Sequence, residues 1–275
     1  MRGMTRNVAV LVMPQPFLVY AAWTGRGPAA AAALAIWGAL SAVVVLGLLR
    51  PRSRMFGPNL WRGEPQPRVA LTFDDGPHPE DTPAILDILR QADARATFFF
   101  VGSRARRYPE LVQRASAEGH GIGAHSDTHP WWFSLSLPGR IRREVQDSVA
   151  TLEALARRRP RYFRPPMGHK NVFLSSEVAA AGLETVTWSV RSYDTVRREP
   201  AKIAALVDRA EPGGIILLHE GTRRGPGRSS ATVDALASII AGLRARGLDP
   251  VSLEDLQAAP ATPGSEVSSS GARGR

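Results

Sequence analysis

Two carboxylates stand side by side in the segment LTFDDGPHPED, where Asp74 and Asp75 directly follow an apolar run and precede a Gly-Pro turn. Adjacent like charges repel each other, and aspartate is a poor strand former. Asp-Asp-Gly-Pro is also ordinary turn chemistry, so a solvated turn is one interpretation. The other is a functional pair of carboxylates, and the remaining motifs of the chain must decide between the two interpretations.

Two histidines, His125 and His129, lie four residues apart in GAHSDTHP. At that spacing a helical turn or a compact loop can direct both imidazoles at one ion, with a carboxylate as the third ligand. A histidine pair alone is more often structural. Together with the two aspartates and with His219 in IILLHE, it favours a site with open positions for water and substrate, which is typical of a catalytic metal.

Apolar, β-rich runs alternate with amphipathic helical patterns from residue 69 onwards. The predicted strands are Val69–Phe73, Ala96–Val101, Gly121–Ala124, Tyr162–Arg164, Thr185–Val190, Ile215–Leu218 and Leu248–Leu253. Segments such as PAILDILRQA and PGRIRREVQDSVATLEALARR predict helices between them. Alternation of this kind predicts a parallel sheet, open or closed into a barrel.

The polar residues of chemical interest follow the ends of these predicted strands. The two aspartates follow the first strand and the two histidines follow the third, while Arg164, Asp194 and His219 come at the ends of three later ones. In a parallel α/β barrel the carboxyl ends of the strands converge on one face. The pattern therefore predicts that all these side chains meet there.

Five motifs in one order, TFDDGP, HSDTHP, RPPMG, WSVRSYD and LLH, resemble those of the NodB-type polysaccharide deacetylases, metal-dependent hydrolases that remove acetyl groups from N-acetylated amino sugars. The resemblance covers residues 68–256 and implies an α/β fold, a distorted (β/α) barrel with about seven parallel strands. It also implies that Asp75, His125 and His129 bind a divalent metal. Zinc is the expected metal, and cobalt, nickel or iron also suits these ligand types.

The same resemblance implies roles for the other polar residues. Asp74 would be the general base, and Arg164 would orient it. His219 would be the general acid that protonates the departing sugar nitrogen, with Asp194 holding its imidazole. The backbone N–H of Met167 would help the metal to stabilise the tetrahedral oxyanion.

Substrate contacts are expected from Leu217, which would line a small acetyl pocket, and from Trp131, an aromatic beside the histidine motif. Met167 and Thr195, also expected at the substrate, depart from the family pattern, because an aromatic and a tryptophan are usual there. Arg191 likewise replaces an acidic residue. These departures concern the acyl pocket and the sugar subsite, so the predicted metal ligands, base and acid are intact.

Composition excludes several classes of protein. The chain has no cysteine, so disulfides, zinc fingers and thiol catalysis are excluded, and any metal must be held by histidine and carboxylate. The net charge is +10, but the basic residues are scattered and form no stripe interleaved with aromatics. This argues against nucleic acid as a partner and favours solvated faces or attraction to an anionic membrane surface.

The N-terminal part of the chain is far more apolar than the rest. Residues 28–49 run for twenty-two positions without a charge, which is long enough to span a membrane. A shorter uncharged stretch over residues 8–23 contains Pro14-Gln15-Pro16 and predicts a second span, an interfacial segment or part of a signal sequence. The predicted organisation is a membrane anchor of one or two helices over residues 1–54, a linker over 55–67, the deacetylase domain over 68–258 and a disordered tail over 259–275.

The leading functional hypothesis is a membrane-anchored, metal-dependent deacetylase of an N-acetylated amino sugar in the cell envelope. A related alternative is a deacetylase or deformylase of a lipid-linked amino sugar at the membrane surface. A protein of a different class would keep the fold and bind glycans without turnover. By the positive-inside rule two membrane crossings would place the barrel in the cytoplasm, whereas the resemblance favours an external barrel if only one segment crosses, so the face stays open.

Overall fold

The computed structural model describes residues 27–221 and 230–258, together with residues 19, 20 and 23. In this part of the chain, short parallel strands form one sheet in the order β5-β4-β3-β2-β1-β7-β6, and β8 pairs with the beginning of β1. The strands are β1 (Arg68–Gly76), β2 (Thr97–Phe100), β3 (Gly121–Ala124), β4 (Tyr162–Phe163), β5 (Glu184–Thr185), β6 (Val190–Arg191), β7 (Ile215–His219) and β8 (Asp249–Val251). The expected barrel of about seven parallel strands is confirmed as a half-barrel.

Helices follow most of the strands, and most of them pack on the outside of the sheet. They are α1 (Pro28–Leu49), α2 (Asp81–Gln91), α3 (Gly102–Arg107), α4 (Pro109–Ala117), α5 (Pro138–Ala156), α6 (Leu174–Ala180), α7 (Pro200–Ala204), α8 (Ala231–Ala245) and α9 (Leu253–Gln257). Both helical segments predicted from apolar periodicity form helices, α2 and α5. The hydroxyl of Ser230 caps α8 by accepting a hydrogen bond from the N–H of Val233.

The side chains of β1 alternate between the two faces of the sheet, as a strand requires. Val69 and Phe73 belong to the larger hydrophobic cluster, which lies between the sheet and the helices. Ala70 belongs to the smaller cluster inside the barrel. Thr72 lies on this inner face too, where its hydroxyl donates to the carbonyl of Ile216 at 2.6 Å. The same alternation directs Asp74 into the top of the barrel.

The barrel is incomplete between β5 and β6. The sequence predicts one strand over residues 185–190, but the structure has two short strands separated by residues that pair elsewhere. Val186 bridges to Leu60, and the N–H of Thr187 donates to the carbonyl of Leu60 at 2.9 Å. A segment that precedes the sheet therefore pairs with the residues between the two short strands.

The apolar helix α1 is mostly exposed and ends against the barrel. Among the described residues it is the one helix long and apolar enough to cross a membrane, a property that a signal sequence shares. The N–H of Lys170 donates to the carbonyl of Leu48 at 3.0 Å, and Asn59 and Thr187 donate to the carbonyl of Pro51 at 2.7 and 2.9 Å. The shorter N-terminal apolar stretch lies largely outside the described residues, as does the predicted C-terminal tail.

Candidate active site

The adjacent aspartates at the end of β1 point in different directions. Asp74 continues the alternation of the strand and is buried. Asp75 has φ +71°, a left-handed conformation that aspartate adopts more readily than most residues. This turn directs its carboxylate towards the loop after β3, where the two histidines of the predicted metal site lie.

Asp75, His125 and His129 each offer one ligand atom, and these three atoms lie within 4.8 Å of one another. Oδ1 of Asp75 is 3.6 Å from Nε2 of His125 and 3.2 Å from Nε2 of His129. Nδ1 of His125 lies 2.7 Å from the carbonyl oxygen of Arg164. Since that carbonyl can only accept, Nδ1 carries the proton. The lone pair of Nε2 therefore faces the candidate metal-ligand atoms of Asp75 and His129.

The three donors fit a divalent cation. Oδ1 of Asp75 is buried and has no hydrogen-bond partner among the described residues, a cost that a bound cation would remove. Burial lowers the pKa of His125 to about 3, so its imidazole is neutral and able to coordinate. Two imidazole nitrogens and one carboxylate oxygen suit zinc and the neighbouring transition metals.

Asp74 is paired with a fully buried arginine. Nη1 of Arg164 donates to Oδ1 of Asp74 at 2.6 Å and to the hydroxyl of Thr72 at 2.8 Å, and Nη2 donates to the carbonyl of Thr187 at 3.0 Å. Burial raises the pKa of Asp74, although the charge and hydrogen bond of Arg164 oppose the shift. The guanidinium carbon lies 4.1 Å from the ring centre of Phe99, so packing fixes the arginine as well.

His219 ends β7 and is held by a second carboxylate. Asp194 accepts from the N–H of His219 through Oδ2 and approaches its Nδ1 through Oδ1, both at 2.7 Å. The hydroxyl of Thr232 also donates to Oδ2, at 2.9 Å. Burial disfavours the imidazolium, but the hydrogen bond to Asp194 and the nearby carboxylates outweigh it and raise the pKa of His219. Since β1 and β7 are in register at Asp74 and His219, the expected base and acid are neighbours.

The predicted substrate contacts occupy different environments. Thr195 and Asp75 line one cavity of about 510 Å³, which also includes Arg104, Tyr108 and Glu220. A cavity of this size suits a sugar residue.

The other three predicted contacts do not line this cavity. Trp131 is 75% exposed on the loop after the metal-site histidines, and Met167 is half exposed with φ +57°. Leu217 is 1% exposed and packs inside the barrel, so it offers almost no free surface in this conformation. The roles of all these residues remain predictions.

Sequence reasoning did not single out several residues that complete the site. Glu220 follows His219 directly, is buried, and interacts with the hydroxyl of Thr82. Burial raises the pKa of Glu220 to about 8. Thr72, Thr187 and Thr232 supply the hydrogen bonds that hold Arg164 and Asp194. Only their positions in the chain could have indicated a role for these residues. Thr72, Thr187 and Glu220 lie on or beside predicted strands, and Thr232 lies at the start of a helix.

Comparison with known proteins identifies the family of the chain. Residues 62–186 match the family described as polysaccharide deacetylase. A chitooligosaccharide deacetylase of Azorhizobium caulinodans is 37% identical over 196 residues, which is 66% of this chain and 90% of that protein. A solved structure of a peptidoglycan N-acetylglucosamine deacetylase superimposes with a TM-score of 0.67 at 33% identity, covering 72% of this chain and 92% of the other. A pseudoenzyme of the same family from Bacillus anthracis gives a TM-score of 0.67 at 27% identity, covering 73% and 69%.

The fold and the site define a carbohydrate-modifying hydrolase, and the chain belongs to the polysaccharide deacetylase family. Enzymes of this family cleave carbon–nitrogen bonds other than peptide bonds. The family is metal-dependent in general, and the chain has a candidate site of the Asp/His/His type.

Proposed function

We propose that the protein is a metal-dependent amidohydrolase that removes the N-acetyl group from an amino sugar of a cell-envelope polysaccharide or glycoconjugate. The observation that carries this proposal is the arrangement of two proton-transfer groups beside the three donors. Asp74 is fixed by a buried arginine, and His219 is fixed by a buried carboxylate, on neighbouring strands in register. A site that only bound glycans would not need either pair.

The first half of the reaction requires a nucleophile. A divalent cation bound by Asp75, His125 and His129 would supply a Lewis acid that acidifies the attacking water and polarises the acetamide carbonyl. Asp74 accepts the proton of that water as its oxygen bonds to the carbonyl carbon. Arg164 keeps the carboxylate of Asp74 in one orientation, so that the lone pair that accepts the proton stays directed at the water.

The second half of the reaction requires a leaving group. The sugar nitrogen leaves poorly as an anion, and His219 donates a proton to it as the carbon–nitrogen bond breaks. The products are acetate and the free amine. Asp194 favours the protonated imidazole and fixes its orientation, while the backbone N–H of Met167 would donate a hydrogen bond to the oxyanion that forms from the acetamide carbonyl.

The test is deacetylation of N-acetylglucosamine oligomers by the full chain in detergent, loaded with zinc, cobalt, nickel or iron in turn. We expect the loss of acetyl groups by mass spectrometry with at least one metal. Asp74→Asn is the matched control, because it keeps the size and polarity of the base and removes its proton affinity. A wild-type protein that binds the oligomers but releases no acetate with any metal would instead be a non-catalytic glycan-binding protein.

A second candidate function is removal of an acetyl or formyl group from a lipid-linked amino sugar. The attachment of the end of α1 to the barrel favours it, since hydrogen bonds to the carbonyls of Leu48 and Pro51 fix an apolar helix close to the catalytic domain. We propose that α1 is a membrane anchor that contacts lipid. In both cases the substrate is an N-acylated carbohydrate.

A further inference from the structure

A second concave surface lies between the end of α1 and the barrel, and it is strongly basic. Its volume is about 380 Å³, and four of its lining residues are arginines: Arg50, Arg52, Arg191 and Arg209. The aromatic rings of Trp188 and Tyr193 complete it, and no acidic residue lines it. We call this surface the arginine cavity.

None of these four arginines forms an ion pair within the part of the chain that the structure describes. Arg209 donates to the carbonyl of Arg191 at 2.7 Å, and Arg52 donates to the carbonyl of Ser189, so backbone groups hold both side chains. Some other exposed arginines do have a carboxylate partner, as Arg142 has with Glu177, but what distinguishes these four is that they face one cavity together. Like charges that face one cavity without counter-ions repel each other, and an anion bound among them relieves that repulsion.

The cavity shares a wall with the active site. The guanidinium carbons of Arg164 and Arg191 lie 5.9 Å from the ring centre of Trp188, which therefore separates the partner of the catalytic base from the cavity. Tyr193 directly precedes Asp194, which orients His219. A charged group bound in the cavity would thus lie beside the residues that hold the expected base and acid.

We infer that the arginine cavity binds a phosphate group carried by the amino-sugar substrate, an inference that rests on the proposed deacetylation. A phosphate monoester or diphosphate carries more charge than one carboxylate and presents several oxygens to bidentate guanidinium groups. Four arginines are more than a single carboxylate needs. The ligand is accordingly a sugar linked through phosphate or diphosphate.

The position of the cavity at the end of α1 favours a lipid as the other substituent of that phosphate. Arg50 is the first residue after the apolar helix, so Arg50 and Arg52 would lie at the depth of lipid headgroups if α1 crosses a membrane. The active-site face also carries exposed apolar side chains, including Trp131, Leu135 and Leu137. Both features suit a substrate whose sugar phosphate extends from a bilayer.

The direct test is calorimetric titration of the metal-loaded full chain in detergent with N-acetylglucosamine 1-phosphate and with neutral N-acetylglucosamine. The variants are the double substitution Arg191→Gln/Arg209→Gln and the control Arg143→Gln, which removes an exposed arginine of α5 that does not line the cavity. We expect the phosphate to improve the affinity of the wild type at least about tenfold, and the double variant to lose that gain. The Arg143→Gln control should keep the gain in affinity from the phosphate. An equal gain in the double variant would mean that the phosphate binds elsewhere, for example at the metal, and would overturn the inference.

A kinetic arm distinguishes the two sources of phosphate. For each variant we compare deacetylation of three substrates. They are polyprenyl-phosphate-linked N-acetylglucosamine, N-acetylglucosamine 1-phosphate and a neutral chitooligosaccharide. In the double variant we expect the ratio of kcat/KM for the lipid-linked substrate to kcat/KM for the neutral substrate to fall at least about tenfold. Most of this fall should come from a higher KM for the lipid-linked substrate. The soluble sugar phosphate could show the same fall in this ratio, with the lipid-linked substrate no better than the soluble one. That result would support the phosphate site and assign it to a soluble substrate. An unchanged ratio for both phosphates contradicts it.

A vesicle arm separates the site from a membrane contact. If phosphatidylglycerol vesicles bind the wild type and not the double variant, while neither sugar phosphate is recognised, the arginines only hold the domain on anionic lipid and the inference is wrong. The proposed function fails independently if no N-acetylated sugar is deacetylated. In that case specific binding of the sugar phosphate, lost in the double variant, would still support the cavity as a phosphate site.

Discussion

Asp74 and Asp75 are chain neighbours, yet the backbone separates their surroundings. The strand alternation turns Asp74 inward to Arg164, and the left-handed φ of Asp75 turns its carboxylate to the two histidines. One carboxylate is thus neutralised by a guanidinium, and the other is available to a cation. The repulsion expected from the sequence is offset by two different positive charges, because each aspartate has its own partner.

This separation predicts opposite effects of two substitutions. His125→Ala leaves one imidazole and one carboxylate, so we expect the metal to be lost, with stoichiometry falling from near one to well below one per chain. Asp74→Asn keeps all three donors, so we expect full metal content and a loss of kcat of about a hundredfold or more. Metal analysis after dialysis measures the first effect and acetate release the second. Equal metal content in the wild type and His125→Ala would exclude the assigned ligand set.

The pH dependence of activity should depend on Asp194. The general acid must be protonated, so activity is lost as the pH rises through the pKa of His219, and the raised pKa of His219 extends activity to higher pH. Removing the charge in Asp194→Asn lowers that pKa, so we expect the alkaline limb of the kcat profile to move to lower pH. Thr232→Val is the control, because it removes a hydrogen bond to the same carboxylate without removing its charge. An alkaline limb that stays in place in Asp194→Asn would assign it to another group.

At the scale of elements, the sequence predicts well what alternation and periodicity determine. β1 and β3 follow from short apolar runs, and α2 and α5 follow from apolar residues at three- and four-residue spacing. The division of residues 184–191 into two strands could not be predicted, since it depends on pairing with Leu60, more than a hundred residues earlier. Long-range pairing of this kind leaves no local pattern.

The loop after β4 contains a glycine whose conformation and surroundings both exclude a side chain. Gly168 has φ +69°, and a Cβ there would lie 2.2 Å from the ring of Trp188. Gly247 has nearly the same φ, +70°, with no atom within 4 Å of a Cβ. In both cases alanine costs about 1 kcal/mol or more from the left-handed backbone.

Gly168→Ala should therefore be more destabilising than Gly247→Ala. We expect the difference in the free energy of unfolding to be about 1–3 kcal/mol, because only Gly168→Ala also displaces a packed ring. Chemical denaturation of the two variants measures it. Activity should fall in Gly168→Ala as well, since Trp188 lies beside Arg164, which binds Asp74. Equal destabilisation of the two variants would show that Trp188 moves aside without cost.

At the scale of the whole molecule, the sequence predicts a catalytic face but not what surrounds it. Strand ends, motif order and the absence of cysteine together predict the metal donors, the base and the acid, because these residues belong to short local motifs. The arginine cavity was not predictable, since Arg50 and Arg209 are 159 positions apart and meet only through the docking of α1. Arg191 was noticed only as a departure from a pattern. Its role depends on residues that the motif does not contain.

The attachment of α1 bears on whether the apolar helix is an anchor or a signal sequence. A signal sequence is removed, so the folded domain has no reason to bind it. Here Lys170, which is buried, donates through its backbone N–H to Leu48 and through Nζ to the carbonyl of Arg50, while Asn59 and Thr187 donate to Pro51. Thr187 also accepts, through its carbonyl, a hydrogen bond from Arg164, which orients Asp74. Hydrogen bonds thus connect the end of the helix to Arg164 and Asp74.

We therefore expect α1 to remain in the mature protein. Intact-mass measurement of the protein purified from membranes should give a chain that includes residues 28–49, and alkaline carbonate should leave the protein in the membrane fraction, because a spanning apolar helix is not released by removing charge interactions. As a control, substitution of Leu34 and Ile36 by lysine, both exposed on α1, should release the protein without disturbing the barrel. A mature N-terminus beyond Leu49 would identify the helix as a signal sequence, and release of the wild type by carbonate would exclude a membrane-spanning anchor.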